Sequence, residues 1–186
     1  MVNFLKIKAV PSLGLIITLI AVALASELFF YIGITIFTQQ ALGLVLGCSL
    51  AIVFISSSMK KGNKNNITWY DLFFALTGFF IGIYISYRYP IVSAEFFERR
   101  EEAFWIGLIV VPLVVEALRR TAGLGLVIIV LVFLLYGLFA HLVPGQLNGR
   151  SQSFFKLIAY LGTDLNAIFG LPLIIITTIV LLFILF

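Results

Sequence analysis

A chain of 186 residues that is 62% hydrophobic, 15% aromatic and only 11% charged carries more apolar surface than a soluble domain of this size can bury. A formal net charge of +4 and a pI near 9.3 could suit a nucleic-acid binder, but the lysines cluster in short segments beside apolar runs, the positive-inside pattern of a membrane protein that binds no nucleic acid. Several runs reach the roughly 20 apolar residues that cross a hydrocarbon core about 30 Å thick, no alternating β-barrel segments occur, and the lone Cys48 excludes an internal disulfide and any multi-cysteine metal site.

The pattern predicts an all-α polytopic membrane protein with about six spans and one interfacial amphipathic helix. Residues 1–11 carry Lys6, Lys8 and Pro11 ahead of a first span over 12–34. That span contains Glu27, an acid inside an apolar run. Such an acid is costly in hydrocarbon and is a candidate proton relay or cation site, or simply a polar group near the end of its span. A second span is expected over 41–57, followed by a basic loop with Lys60, Lys61 and Lys64. Trp69 and Tyr70 open the third span as interfacial aromatics, and Asp71 in its first turn suits the helix dipole. This span is expected to end near Tyr87-Arg88-Tyr89-Pro90. Gly43, Gly47 and Ala51 in the second span, and Gly78, Gly82 and Ser86 in the third, recur four apart and predict close helix packing.

Residues 91–102 read as a polar connector with Glu95, Glu98, Arg99, Arg100, Glu101 and Glu102. A short fourth span over 103–118 contains Pro112, which should kink it. A knot of charge follows at Glu116, Arg119 and Arg120, where Glu116 can pair with both arginines at i+3 and i+4. The knot must leave the bilayer core, so it marks a membrane surface. A fifth span over 122–142 ends at Pro144-Gly145 with His141 alone near its close. Phe154, Leu157, Ile158 and Leu161 then form a helical stripe too short to span, capped by Ser151 or Ser153, which predicts a helix lying in the interface. Asp164 with Thr163 reads as the cap of a sixth span that runs to Phe186, an apolar run with no polar close, as expected for a piece of a longer chain.

Placing the N-terminus in the cytoplasm puts Lys6, Lys8, Lys60, Lys61, Lys64, Arg119 and Arg120 inside, against Arg88, Arg99, Arg100, Arg150 and Lys156 outside. The seven-to-five bias favours this orientation. The residues show no nucleophile–base pair, P-loop, zinc motif or dinucleotide fingerprint, so the chain reads as a non-enzyme.

The stretch Val115-Glu116-Ala117-Leu118-Arg119-Arg120-Thr121-Ala122-Gly123 resembles a segment of the fused TRAP transporter permeases that work with TAXI-class binding proteins. Tyr70-Asp71-Leu72, the run Phe133 to Phe139 before Pro144-Gly145, and the run Thr163 to Leu173 are similar to that family in the same order, so the likeness covers roughly residues 68–186. The resemblance implies a four-span small-subunit-like bundle over 1–121, a connecting span and amphipathic helix over 122–164, and the start of the large transport domain over 165–186. It implies a component of an inner-membrane symporter in a bacterium or archaeon, taking up organic acids and bracing the large membrane component. Substrate and Na+ sites would lie in the large component, no cofactor or metal is expected here, and a periplasmic binding protein would deliver the substrate. Glu116, Arg119, Arg120 and Gly123 carry the family segment as a structural anchor, and Glu95, Glu98, Arg99 and Arg100 would face the binding protein. Two other readings stand beside it: an integral-membrane enzyme using Glu27 with the Glu116/Arg119 cluster, and a membrane assembly factor with no transport role.

Overall fold

The structure, a computed structural model, describes residues 2–33, 36–57, 68–94, 100–145, 148–150, 152–164 and 166–185; the side chains of 2–7, 93, 94, 100 and 185 lie outside that description. Every regular element among the described residues is helical. In chain order these are α1 (Val2–Ala25), α2 (Leu28–Tyr31), α3 (Thr38–Ser56), α4 (Trp69–Ala94), α5 (Arg100–Thr121), α6 (Leu124–Phe139), a 3₁₀ turn (Ala140–Leu142), α7 (Phe154–Thr163), α8 (Leu171–Ile175), a π-helical turn (Ile176–Val180) and α9 (Leu181–Leu185). Four helical stretches are long and apolar enough to cross a membrane: Lys8–Ala25, Thr38–Ser56, Trp69–Val92 and Leu124–Leu142. The chain is therefore a helical membrane protein in which four helices among the described residues meet that measure, against the six spans expected. At 1.5 Å per residue α5 reaches about 33 Å, but its charged ends exclude it from that set. The rod from α8 to α9 and the helix α7 are too short.

The tightest joint is between α3 and α4. A Cβ on Gly82 would lie 2.6 Å from the Gly47 Cα and 2.7 Å from the Gly43 carbonyl oxygen, and one on Gly47 would lie 2.9 Å from the Gly82 Cα. The small-residue pattern thus does what its spacing predicts: two backbones touch where no side chain intervenes. Gln40 extends the joint by donating its Nε2 to the Ser86 carbonyl at 2.9 Å.

Packing sorts the bundle into two ends. At one, Ala9, Val10 and Leu13 of α1 meet Phe54 and Ile55 of α3, Ala75 of α4 and Ala117 of α5. At the other, Leu24, Leu42, Tyr89, Val92, Ala103 and Ile106 pack around Phe169. Helices α1, α3, α4 and α5 therefore alternate in direction. The start of the chain, both flanks of the 58–67 segment and the charge knot all share one end, here the knot end.

Several boundaries differ from expectation. The segment before residue 12 is already helical, with Pro11 inside α1. The first span does not run on to 34: the Ser26 hydroxyl donates to the Val22 carbonyl at 2.7 Å, and Glu27 then takes a left-handed conformation (φ 52°) that stops α1. Pro90 does not end α4, because Tyr89 and Val92 around it are buried in the far-end core and that packing outweighs one lost hydrogen bond. Ser153 caps α7 as expected, accepting from the Lys156 backbone N–H at 3.4 Å; Ser151 lies outside the described residues.

Helix α7 packs on the bundle through Ile158 of the predicted stripe and its smaller neighbours, while Leu157 and Leu161 are half-buried. Phe154 is exposed, while Ile158, Ala159, Gly162 and Thr163 are buried. A Cβ on Gly107 would collide with the Ile158 carbonyl, Gly162 sits against the Gly107 backbone, and Phe155 stacks on Phe104 at 4.5 Å between centroids. The glycine pair brings the α7 and α5 backbones into contact, so small residues carry this joint. Asp164 does not cap the last helix. It follows α7, and its Oδ1 accepts from the Asn166 backbone N–H at 2.9 Å in the turn that sends Phe169 into the core.

Candidate functional site

The charge knot forms at the last turns of α5. Glu116, Arg119 and Arg120 fall on one helical face by their i+3 and i+4 spacing, and basic groups suit the negative end of the helix dipole. The Arg119 fork donates to Glu116 twice, Nε to Oε2 and Nη2 to Oε1, both at 2.7 Å. These bonds and the carboxylate's charge raise the Arg119 pKa above its already high ordinary value, so this side chain stays a cation. Arg120 Nε donates to Glu116 Oε1 at 2.8 Å.

From there the two arginines part. Arg119 remains 35% exposed, whereas the Arg120 side chain is only 3% exposed. Arg120 Nη1 donates to Asp71 Oδ1 at 2.7 Å and to the Ser57 carbonyl at 2.9 Å. Its guanidinium carbon lies 4.8 Å from the Phe54 ring centroid and 5.8 Å from that of Phe74. Nη2 is buried with no acceptor among the described residues, and the ring faces offset part of that cost. Asp71 is fully buried and its Oδ2 accepts the Thr68 backbone N–H at 3.0 Å. One guanidinium thus ties the end of α3, the start of α4 and the end of α5.

Asp71 was expected only to complement a helix dipole, and this is the correction of most consequence. A signal for it existed in the chain. The knot holds one acid for two arginines, so a second carboxylate is owed if both are drawn inward, and Asp71 is the acid nearest a helix start on the same side.

At the far end of the α4–α5 pair a second cluster forms. Arg88 donates Nε and Nη2 to the two Glu102 oxygens at 3.0 and 3.1 Å, and the Tyr84 hydroxyl donates to Glu102 Oε1 at 2.6 Å. Arg88, expected at the end of the third span, and Glu102, expected in the connector after it, are both helical and bind α4 to α5.

The remaining predicted residues do not converge on either cluster. Glu27 sits at the far end, exposed, in the bend between α1 and α2, so it and the Glu116/Arg119 pair cannot share a site. Gly123 takes φ 90°, which a side-chain-bearing residue rarely adopts, and forms the hinge between α5 and α6. His141 is exposed in the 3₁₀ turn. Glu95, Glu98 and Arg99 lie outside the described residues, as does the side chain of Arg100, whose backbone opens α5. Among the described residues no group of three or more His, Cys, Asp or Glu could hold a metal ion. Neither ion cluster contains a nucleophile beside a general base; what their geometry can do is hold helices together. No family model, curated protein or solved structure matches the chain.

Proposed function

We propose that the chain is the bracing component of a TRAP-type, binding-protein-dependent secondary transporter for organic acids, acting without catalysis of its own. The observation that carries the bracing role is Arg120: a nearly buried guanidinium that binds three helices at one end, on a pair of helices tied again by Arg88–Glu102 at the other. A frame clamped at both ends resists relative sliding of its helices, which is what a moving transport element needs to work against. The assignment to this transporter class rests on the resemblance of residues 68–186, above all Glu116, Arg119, Arg120 and Gly123. In this reading the chain lies in the cytoplasmic membrane with its N-terminus and the knot inside. A large Gly- and Ser-rich membrane component holds the substrate and Na+ sites. A periplasmic binding protein docks on the opposite side, near Glu95, Glu98, Arg99 and Arg100.

The coding region beyond Phe186 and its neighbours tests this first. A large transport domain, in frame or adjacent, and a secreted binding protein should both be encoded; absence of both sinks the reading. Reconstituted together in vesicles, the components should take up an organic acid under an inward Na+ gradient, and uptake should vanish when this chain is omitted.

A further inference from the structure

Where α1 stops, the chain bends through Glu27 beside an open cavity of about 540 Å³, lined among others by Leu24, Glu27, Phe29, Phe30 and Ile36. That is within the range of small-ligand pockets, about 300–1,000 Å³. Glu27 is its charged group. The carboxylate makes no hydrogen bond or ion pair with any described residue. Glu27 also occupies a left-handed position (φ 52°), where glycine is the residue of low cost, and the chain does use glycine for the next such position, Gly33 (φ 76°). A carboxylate is thus carried where the backbone alone favours none.

We propose that this cavity binds an ammonium group borne on an apolar body. The carboxylate supplies the opposite charge, the phenyl rings of Phe29 and Phe30 are groups that can attract a cation, and Leu24 and Ile36 offer apolar surface to hydrocarbon. An anion would be repelled by Glu27. A bare metal ion needs several oxygen ligands, and the described lining side chains offer the Glu27 carboxylate and the Thr38 hydroxyl. Two sources carry this chemistry: a free alkylamine, or the ethanolamine headgroup of a lipid beside the bend.

The test is calorimetric titration of the full chain in detergent with hexylammonium chloride, against hexanol as its neutral counterpart. Saturable binding of hexylammonium without competition from hexanol is expected. Glu27→Gln should weaken binding by about tenfold through loss of the charge-assisted bond, and Phe30→Ala by about threefold through loss of one ring face. Both side chains are exposed, so both variants should elute and melt as the parent does. Equal affinity in Glu27→Gln, or equal affinity for hexanol, overturns the proposal. Repeating the titration in bilayer discs separates the sources, and either result supports the site. Loss of hexylammonium binding in phosphatidylethanolamine discs, but not in phosphatidylglycerol discs, assigns the site to the lipid headgroup. Equal binding in both assigns it to a free amine.

Discussion

Arg120 is held by partners that sequence distance hides. Asp71 lies 49 residues away and Ser57 63 residues away, yet both bond the same Nη1. Removing one partner of a buried ion pair leaves the other charge desolvated, at a cost of about 3–5 kcal/mol. Asp71→Ala should therefore destabilise the purified protein by that amount in reversible unfolding from detergent. Arg119→Ala, which breaks a part-exposed pair, should cost about 1 kcal/mol or less. Replacing both buried partners, Asp71→Leu with Arg120→Met, should restore much of the loss, since no charge is then stranded. If Asp71→Ala is as mild as Arg119→Ala, the buried pair does not secure this end. Glu27 gives a prediction of opposite sign. Releasing a side chain from the left-handed region is worth about 1 kcal/mol, so Glu27→Gly should unfold at the same or higher denaturant concentration.

Between elements, glycine decides which helices touch. Gly82→Ala drives a Cβ against the Gly47 backbone, where neither wall is a movable side-chain tip, and should cost about 1–3 kcal/mol. Gly125→Ala in α6 meets nothing within 4 Å and should be neutral or gain up to about 1 kcal/mol from helix propensity. The same unfolding assay ranks the two. The α5–α7 joint obeys the same rule with a different readout: Gly107→Ala should unseat α7, seen as faster amide exchange across Phe154–Thr163 with little change in α3. Helix existence was legible because apolar runs of this length have few alternatives. Helix ends were less so. Pro90 reads locally as a stop and is overridden by burial of Tyr89 and Val92, while the apolar run 12–34 reads as continuous and is interrupted at one acid. The stripe on α7 was visible, but its docking on α5 depended on Gly107, which stands 55 positions before Gly162 in the chain.

For the whole molecule, antiparallel packing places residues 57, 68 and 122 at the knot end and 149 at the far end. Reporters fused after Ser57 and after Ala122 should give the same sidedness, and one after Gly149 the opposite. A reporter after Gly149 that agrees with the other two would contradict the arrangement. Replacing Arg119 and Arg120 with Glu removes two of the seven basic groups assigned inside, so the fusion after Ala122 should shift outward or the protein should fail to accumulate. Four helical stretches qualify as spans on length and apolarity. Helix α5 is outside that set because of the charges at its ends, two of which pair with α4 through Arg88–Glu102 and Arg120–Asp71, a property of the pair that hydropathy along the sequence does not register.

The sequence by itself determined the class of protein, the positions of its main helices, the glycine joint between α3 and α4, and the pairing of Glu116 with the two arginines. All of these follow from composition or from spacings of a few residues, where helix geometry fixes which groups meet. Tertiary structure alone decided that Arg120 turns inward to Asp71 while Arg119 stays outside, that Arg88 and Glu102 form a second tie, that α7 docks through Gly162, and that Glu27 lines a cavity with no partner among the described residues. Each of these depends on groups brought together from distant parts of the chain, whose contact is set by helix direction and depth in the bundle. Local periodicity carries no record of either.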